Sequence, residues 1–201
     1  MTISRFRVLH VCTGNIGRSP MAERLMQLRL RQRLGSEAAA FRVESAGTWG
    51  HRGAPMEPFA AQAVRELGGD PEGFGAHELD PVQVELADLV LTATGEHRAA
   101  VVTLVPSAVR RVFTLKEFAR LGASIDPGAL RARLLTLPVD PVDYAAAAVH
   151  AALLLRGPGQ RPSPGLDDVT DPLGAPYRVY QARAREIDAA VGQTVRVLAT
   201  R

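Results

Sequence analysis

The chain has 201 residues, of which 46% are hydrophobic and 22% charged, enough apolar material to build one sizeable core. A net charge of +3 gives no case for nucleic-acid binding, and a single cysteine, Cys12, excludes an internal disulfide and any multi-cysteine metal or iron–sulfur centre. The most apolar run, residues 144–155, has 12 residues and contains His150; it is too short to span a bilayer, and no signal-like start precedes it, so a cytoplasmic protein without a membrane segment is expected.

In chain order, residues 7–11 read as a short buried strand that runs into Cys12–Thr13–Gly14–Asn15–Ile16–Gly17–Arg18–Ser19–Pro20. Ser19 and Pro20 suit the N-cap and first position of a helix, in which Met21, Leu25 and Leu28 repeat at helical spacing. Residues 41–46 form a second strand closed by Gly47, and 55–67 a helix stopped by Gly68–Gly69. Residues 89–91 and 109–114 give a third and a fourth strand, with helices near 96–105 and 116–121. Strand alternating with helix predicts an α/β fold: a parallel sheet of about four strands in a three-layer α/β/α arrangement.

Residues 122–165 break this rhythm with two Asp–Pro steps, an alanine-rich helical middle and a Pro/Gly-rich end. They read as an insertion within one domain spanning 1–201. The chain closes with a helix from about Tyr177, whose stripe Tyr180, Ala184, Ile187, Val191, Val195 and Leu198 should lie on the sheet.

The segment 12–19 has the makings of a receptor for a tetrahedral oxyanion. Five residues separate Cys12 from Arg18, and Gly14, Asn15 and Gly17 tolerate the backbone angles needed to curl the amides toward one point. Those amides, the positive end of the following helix and the Arg18 fork would hold the oxyanion, and the same field favours a thiolate at Cys12. Thr13, Gly14, Asn15, Ile16, Gly17 and Ser19 would then line the phosphate. The thiolate is placed for in-line attack on a phosphate monoester, giving a phosphocysteine that water cleaves. Neither metal nor other cofactor is called for.

From Val11 through Met21–Ala22–Glu23 the sequence resembles the signature of the low-molecular-weight protein tyrosine phosphatases. The likeness extends to Ser45–Ala46–Gly47–Thr48, Ala87–Asp88–Leu89–Val90–Leu91 and Asp168–Val169–Thr170–Asp171–Pro172, and skips the insertion. It implies a phosphotyrosine-containing protein as partner and substrate, with Asp171 as the general acid that protonates the leaving phenolate. Asp–Pro occurs five times in the chain, and only Asp171 lies in the family's motif just before the last helix. The resemblance also puts Trp49 at a substrate-pocket wall, where packing is the alternative, and has Ser45 holding Asn15, where a plain strand-end serine is the alternative.

Departures accompany it. The family's second loop cysteine is replaced by Gly17, an aromatic pair after the Asp–Pro by Leu173–Gly174, and a supporting histidine has only His77 as an awkward match. Protein arginine phosphatases of this fold carry threonine at the position of Ile16, which favours an aryl phosphate here. The Asn-x-Gly-Arg-Ser pattern is shared with arsenate reductases of this fold, which would need an external small thiol. A non-catalytic phosphopeptide-binding module would not need Cys12. His10, His51, His97 and His150 show no metal-ligand spacing and read as structural or surface residues. Arg29, Arg31 and Arg33 read as a solvated helix face. The insertion has two possible roles, a cover that filters substrates at the site's mouth or a contact with a second copy; oligomeric state is open.

Overall fold

Phe6–Cys12 (FRVLHVC) alternates side chains between two buried faces, as a strand covered by helices on both sides must. It forms β1, at the centre of the sheet. The computed structural model describes residues 5–134, 140–157 and 165–199. In these, β2 (Phe41–Gly47), β3 (Leu89–Thr92) and β4 (Val112–Thr114) complete a four-stranded, all-parallel sheet in the order β2-β1-β3-β4. The chain leaves β1 toward one edge and returns to its other side at β3. The loops after β1 and β3 therefore diverge at the carboxyl end of the sheet, where open α/β sheets bind ligands.

One face carries Phe6, Val8, Leu89, Leu91 and Phe113 against α1 (Arg18–Leu34), α2 (Pro58–Glu66), α5 (Leu115–Gly122) and α8 (Tyr177–Leu198). The other carries Leu9, Val11, Val90 and Val112 against α3 (Pro81–Leu86) and α4 (Gly95–Leu104). The α/β/α layering expected from the sequence is present. All six residues of the α8 stripe are buried.

Several expectations are corrected. The fourth strand is three residues long, because Pro106–Arg110 curls into a 3-10 turn before it. Helix α1 starts at Arg18 with Gly17 as its cap, so Ser19 is not the N-cap; its hydroxyl turns inward to Cys12 and Asn15. The arginine face of α1 is only partly solvated. Arg29 forks onto Asp188 at 2.8 and 2.6 Å, and Arg33 donates to the Ala199 carbonyl, tying α1 to α8.

The insertion contributes α6 (Pro127–Arg133) and α7 (Pro141–Leu155). Tyr144, Ala145, Ala148, Val149 and Ala152 of α7 are buried in the main core, and α7 packs against α5 and α8. Arg156 closes it. Its guanidinium lies 3.8 Å from the Phe113 ring centroid and binds Glu117 at 2.8 and 2.9 Å. No described helix is long and apolar enough to cross a membrane.

His10, on β1, is fully buried, and desolvation lowers its pKa from 6.5 to about 3. Below the unfolded value only the unfolded chain takes up this proton, so stability falls with pH until the folded group also titrates. From about pH 6 to about pH 4 the loss is about 2–3 kcal/mol. Urea unfolding at those two pH values should show it, and His10→Phe should show a correspondingly smaller drop; equal drops would refute the assignment.

Candidate active site

Residues 12–18 wrap the end of β1. The loop carbonyls of Cys12, Thr13, Gly14 and Ile16 accept from the amides of Thr48, Trp49, His51 and Glu57 at 2.8–3.1 Å. In planar trans peptides the N–H groups of Thr13, Gly14, Asn15 and Gly17 then point away from that segment, free to serve another acceptor. This packing needs Gly47, where a Cβ would lie 2.3 Å from the Thr13 carbonyl oxygen.

Asn15, with φ of 54°, is the sole non-glycine residue among those described that has a left-handed backbone. Three hydrogen bonds hold it. Its Nδ2 donates to Ser19 Oγ at 2.9 Å and Ser45 Oγ at 2.8 Å, and its Oδ1 accepts from the His77 amide at 2.7 Å. Ser45 Oγ in turn donates to Glu23 at 2.6 Å, and burial raises the pKa of Glu23. His77 contributes its backbone amide to this network. Ser19 Oγ lies 2.9 Å from Cys12 Sγ, so one buried chain of hydrogen bonds runs from the thiol to Glu23.

Arg18 is buried below the mouth of the site. Its Nη1 donates to the Val169 carbonyl at 3.2 Å, and its Nη2 to Asp171 Oδ2 at 2.5 Å and Thr13 Oγ1 at 3.3 Å. Asp–Pro steps at Asp80, Asp126 and Asp140 each cap a helix. Asp171–Pro172 does not; its carboxylate reaches over the loop instead, with 48% of the side chain exposed.

Residues 167–169 fix that arrangement. Val169 N donates to the Ala93 carbonyl at 2.8 Å, and Gly95 N to Asp168 Oδ1 at 2.8 Å. Thr114 Oγ1 donates to the Asp167 carbonyl at 2.9 Å, while Arg120 forks onto the Asp167 carboxylate.

Above these groups is a pocket of about 310 Å³. Cys12, Gly17 and Arg18 line it together with the apolar Ile16, Trp49, Pro172, Leu173 and Tyr180. Trp49 is 80% exposed, a rim residue rather than a core one. No described residue of the insertion lines the pocket; residues 135–139 and 158–164, on which the idea of a cover also rests, lie outside the described residues.

Four pocket or loop residues went unassigned in the sequence. His51 and Glu57 line the pocket, as does Tyr180, which had been placed only in the core. His97 Nε2 lies 2.9 Å from Thr13 Oγ1, and His51, a surface residue as expected, stands at the pocket. Spacing gave no signal for them, because they come from three distant segments, His51 and Glu57 between β2 and α2, His97 on α4 and Tyr180 on α8. The arrangement can hold a tetrahedral oxyanion with a sulfur behind it and a carboxylate in front.

The sequence pattern of the family described as low molecular weight phosphotyrosine protein phosphatase matches residues 7–126. The chain belongs to that family. It is accordingly a protein phosphatase, with the family's Cys-(x)5-Arg loop at residues 12–18. A protein-arginine-phosphatase of Geobacillus stearothermophilus is 24% identical over 196 residues, 97% of each chain. The low molecular weight protein-tyrosine-phosphatase Etp of Escherichia coli (strain K12) is 35% identical over 99 residues, 49% of this chain and 62% of Etp. The structure of a low molecular weight protein tyrosine phosphatase from T. tengcongensis superposes with a TM-score of 0.66 at 27% identity, covering 94% of this chain and 97% of that one. Tyrosine and arginine phosphatases thus both stand among the relatives of this phosphatase.

Proposed function

We propose that the chain is a cytoplasmic phosphatase that hydrolyses phosphotyrosine in proteins through a phosphocysteine on Cys12. The observation that carries the reading is the pocket's polarity: an anion receptor at its floor and apolar walls from Ile16, Trp49, Leu173 and Tyr180, suited to an aryl ring. The Arg18 fork and the loop amides hold the three equatorial oxygens as charge builds on them. Cys12 Sγ attacks phosphorus, the S–P bond forms as the P–O bond breaks, and Asp171 gives its proton to the departing phenolate. Water then attacks the phosphocysteine with Asp171 as base, releasing phosphate and the thiolate. Ser19, 2.9 Å from the sulfur, steadies the thiolate as it leaves.

A specific observation favours phosphoarginine as a second reading. A relative matched over 97% of its length bears that name, and two carboxylates, Glu57 and Asp171, line the pocket. Against it, Glu57 already accepts the Ala60 amide at 2.8 Å as the cap of α2, and Asp171 binds Arg18. The two are separated by kcat/KM on matched phosphotyrosine and phosphoarginine peptides. Phosphotyrosine should lead by at least about tenfold, since the Ile16 wall offers nothing to a guanidinium, and Ile16→Thr should narrow the gap. A wild type that prefers phosphoarginine overturns the tyrosine reading.

A further inference from the structure

We propose that His97 is a positioning residue: it holds the Thr13 hydroxyl, and through it the Arg18 guanidinium, in the orientation that the phosphate site requires. This rests on the phosphatase reading of that site. Arg18 Nη2 is shared between Asp171 and Thr13. In the reaction Asp171 turns its proton to the leaving group, so its grip on Arg18 cannot be the constant one. What stays fixed on the guanidinium is the Val169 carbonyl on one side and Thr13 Oγ1 on the other.

Hydrogen-bond polarity orders the rest. A guanidinium only donates, so Thr13 Oγ1 accepts from Arg18 and keeps its own proton to give, with His97 Nε2 2.9 Å away. In the proposed arrangement that proton goes to Nε2, and the ring's own proton sits on Nδ1 and is donated to Thr94 Oγ1 at 2.6 Å. Thr94 is the N-cap of α4, and its hydroxyl also accepts the His97 amide at 3.3 Å. The ring is thus gripped from both nitrogens and joins the loop after β3 to the loop after β1. Burial and then the Arg18 charge push its pKa down to about 4, partly offset by Asp171 and Asp168, which leaves a neutral imidazole at pH 7. Among the described residues, Arg18, Asp171 and Asp168 are the charged groups that act on it.

The test uses His97→Gln, whose amide oxygen replaces the Nε2 acceptor, and His97→Asn, whose amide keeps only the Thr94 side. Each is made in wild type and in Thr13→Val. The readouts are turnover of a small aryl phosphate and the Kd of inorganic phosphate by calorimetry. His97→Asn should lose about tenfold in both, and His97→Gln no more than about threefold. In Thr13→Val the change to Asn should cost nothing further, because the path runs through that hydroxyl. Equal losses for Asn and Gln, or an undiminished loss in Thr13→Val, overturn the proposal.

Should the variants fail to fold, ¹⁵N spectra of the wild-type ring decide alone. The Nδ1–H tautomer at pH 7 is expected, and an Nε2–H tautomer or an imidazolium overturns it. A wild type that turned over nothing, yet bound phosphate with the same ranking of variants, would sink the phosphatase reading and leave this inference standing.

Discussion

Cys12→Ser should lower turnover of every phosphate monoester by at least about a thousandfold while leaving phosphate bound. A serine hydroxyl at this position can keep the hydrogen bond to Ser19 but lacks a base to take its proton, since Ser19 is itself a neutral hydroxyl. The receptor itself, Arg18 with the loop amides, is untouched, so the Kd of inorganic phosphate should move by no more than about threefold. Steady-state turnover and phosphate calorimetry on the same preparation check both halves. Sustained turnover in a folded Cys12→Ser variant would remove the phosphocysteine from the mechanism.

Asp171→Asn should cost about 10²–10⁴ in kcat with phosphotyrosine, the range of a lost general acid. Asparagine can still accept from the Leu173 amide, as Asp171 Oδ1 does at 3.2 Å, so the loop keeps its turn. The loss should shrink with nitrophenyl phosphate, whose leaving group departs without a proton. Rates across a series of substituted phenyl phosphates therefore separate two roles for the carboxylate. A loss that steepens with leaving-group basicity identifies an acid; a uniform loss would make Asp171 only an anchor for Arg18, which it binds at 2.5 Å.

The sheet was legible because its strands are short apolar runs set between glycine and proline punctuation, and their order of appearance fixes a parallel arrangement. Helix α8 was legible for the same kind of reason, six apolar residues at helical spacing. The loop at residues 12–18 was legible because its residues are contiguous. The rest of the site was not, because it is assembled across elements. His97 reaches Thr13 from α4, and His51 packs against Gly14 from the segment after β2. Tyr180 belongs to the α8 stripe, and burial alone explains it until the pocket is seen beside it.

Ser19 shows a subtler failure. Serine before proline is a sound cap signal, yet here the helix starts earlier, at Arg18, and the Met21 amide already donates to the Gly17 carbonyl, so the hydroxyl is spent on the thiol and on Asn15. Asp171 shows the converse. Five Asp–Pro steps could not be ranked by composition, whereas three of the other four are occupied as helix caps.

The fastening of residues 167–169 to the loops after β3 and β4 bears on how this chain can vary. Asp167, Asp168 and Val169 are each bound to a neighbouring loop before the chain reaches Asp171. A change of length between α7 and Asp167 therefore ends its mechanical effect at that anchorage. The place of the Asp171 carboxylate over Arg18 is thus set locally, by the loops after β3 and β4, and not by the chain that leads up to them.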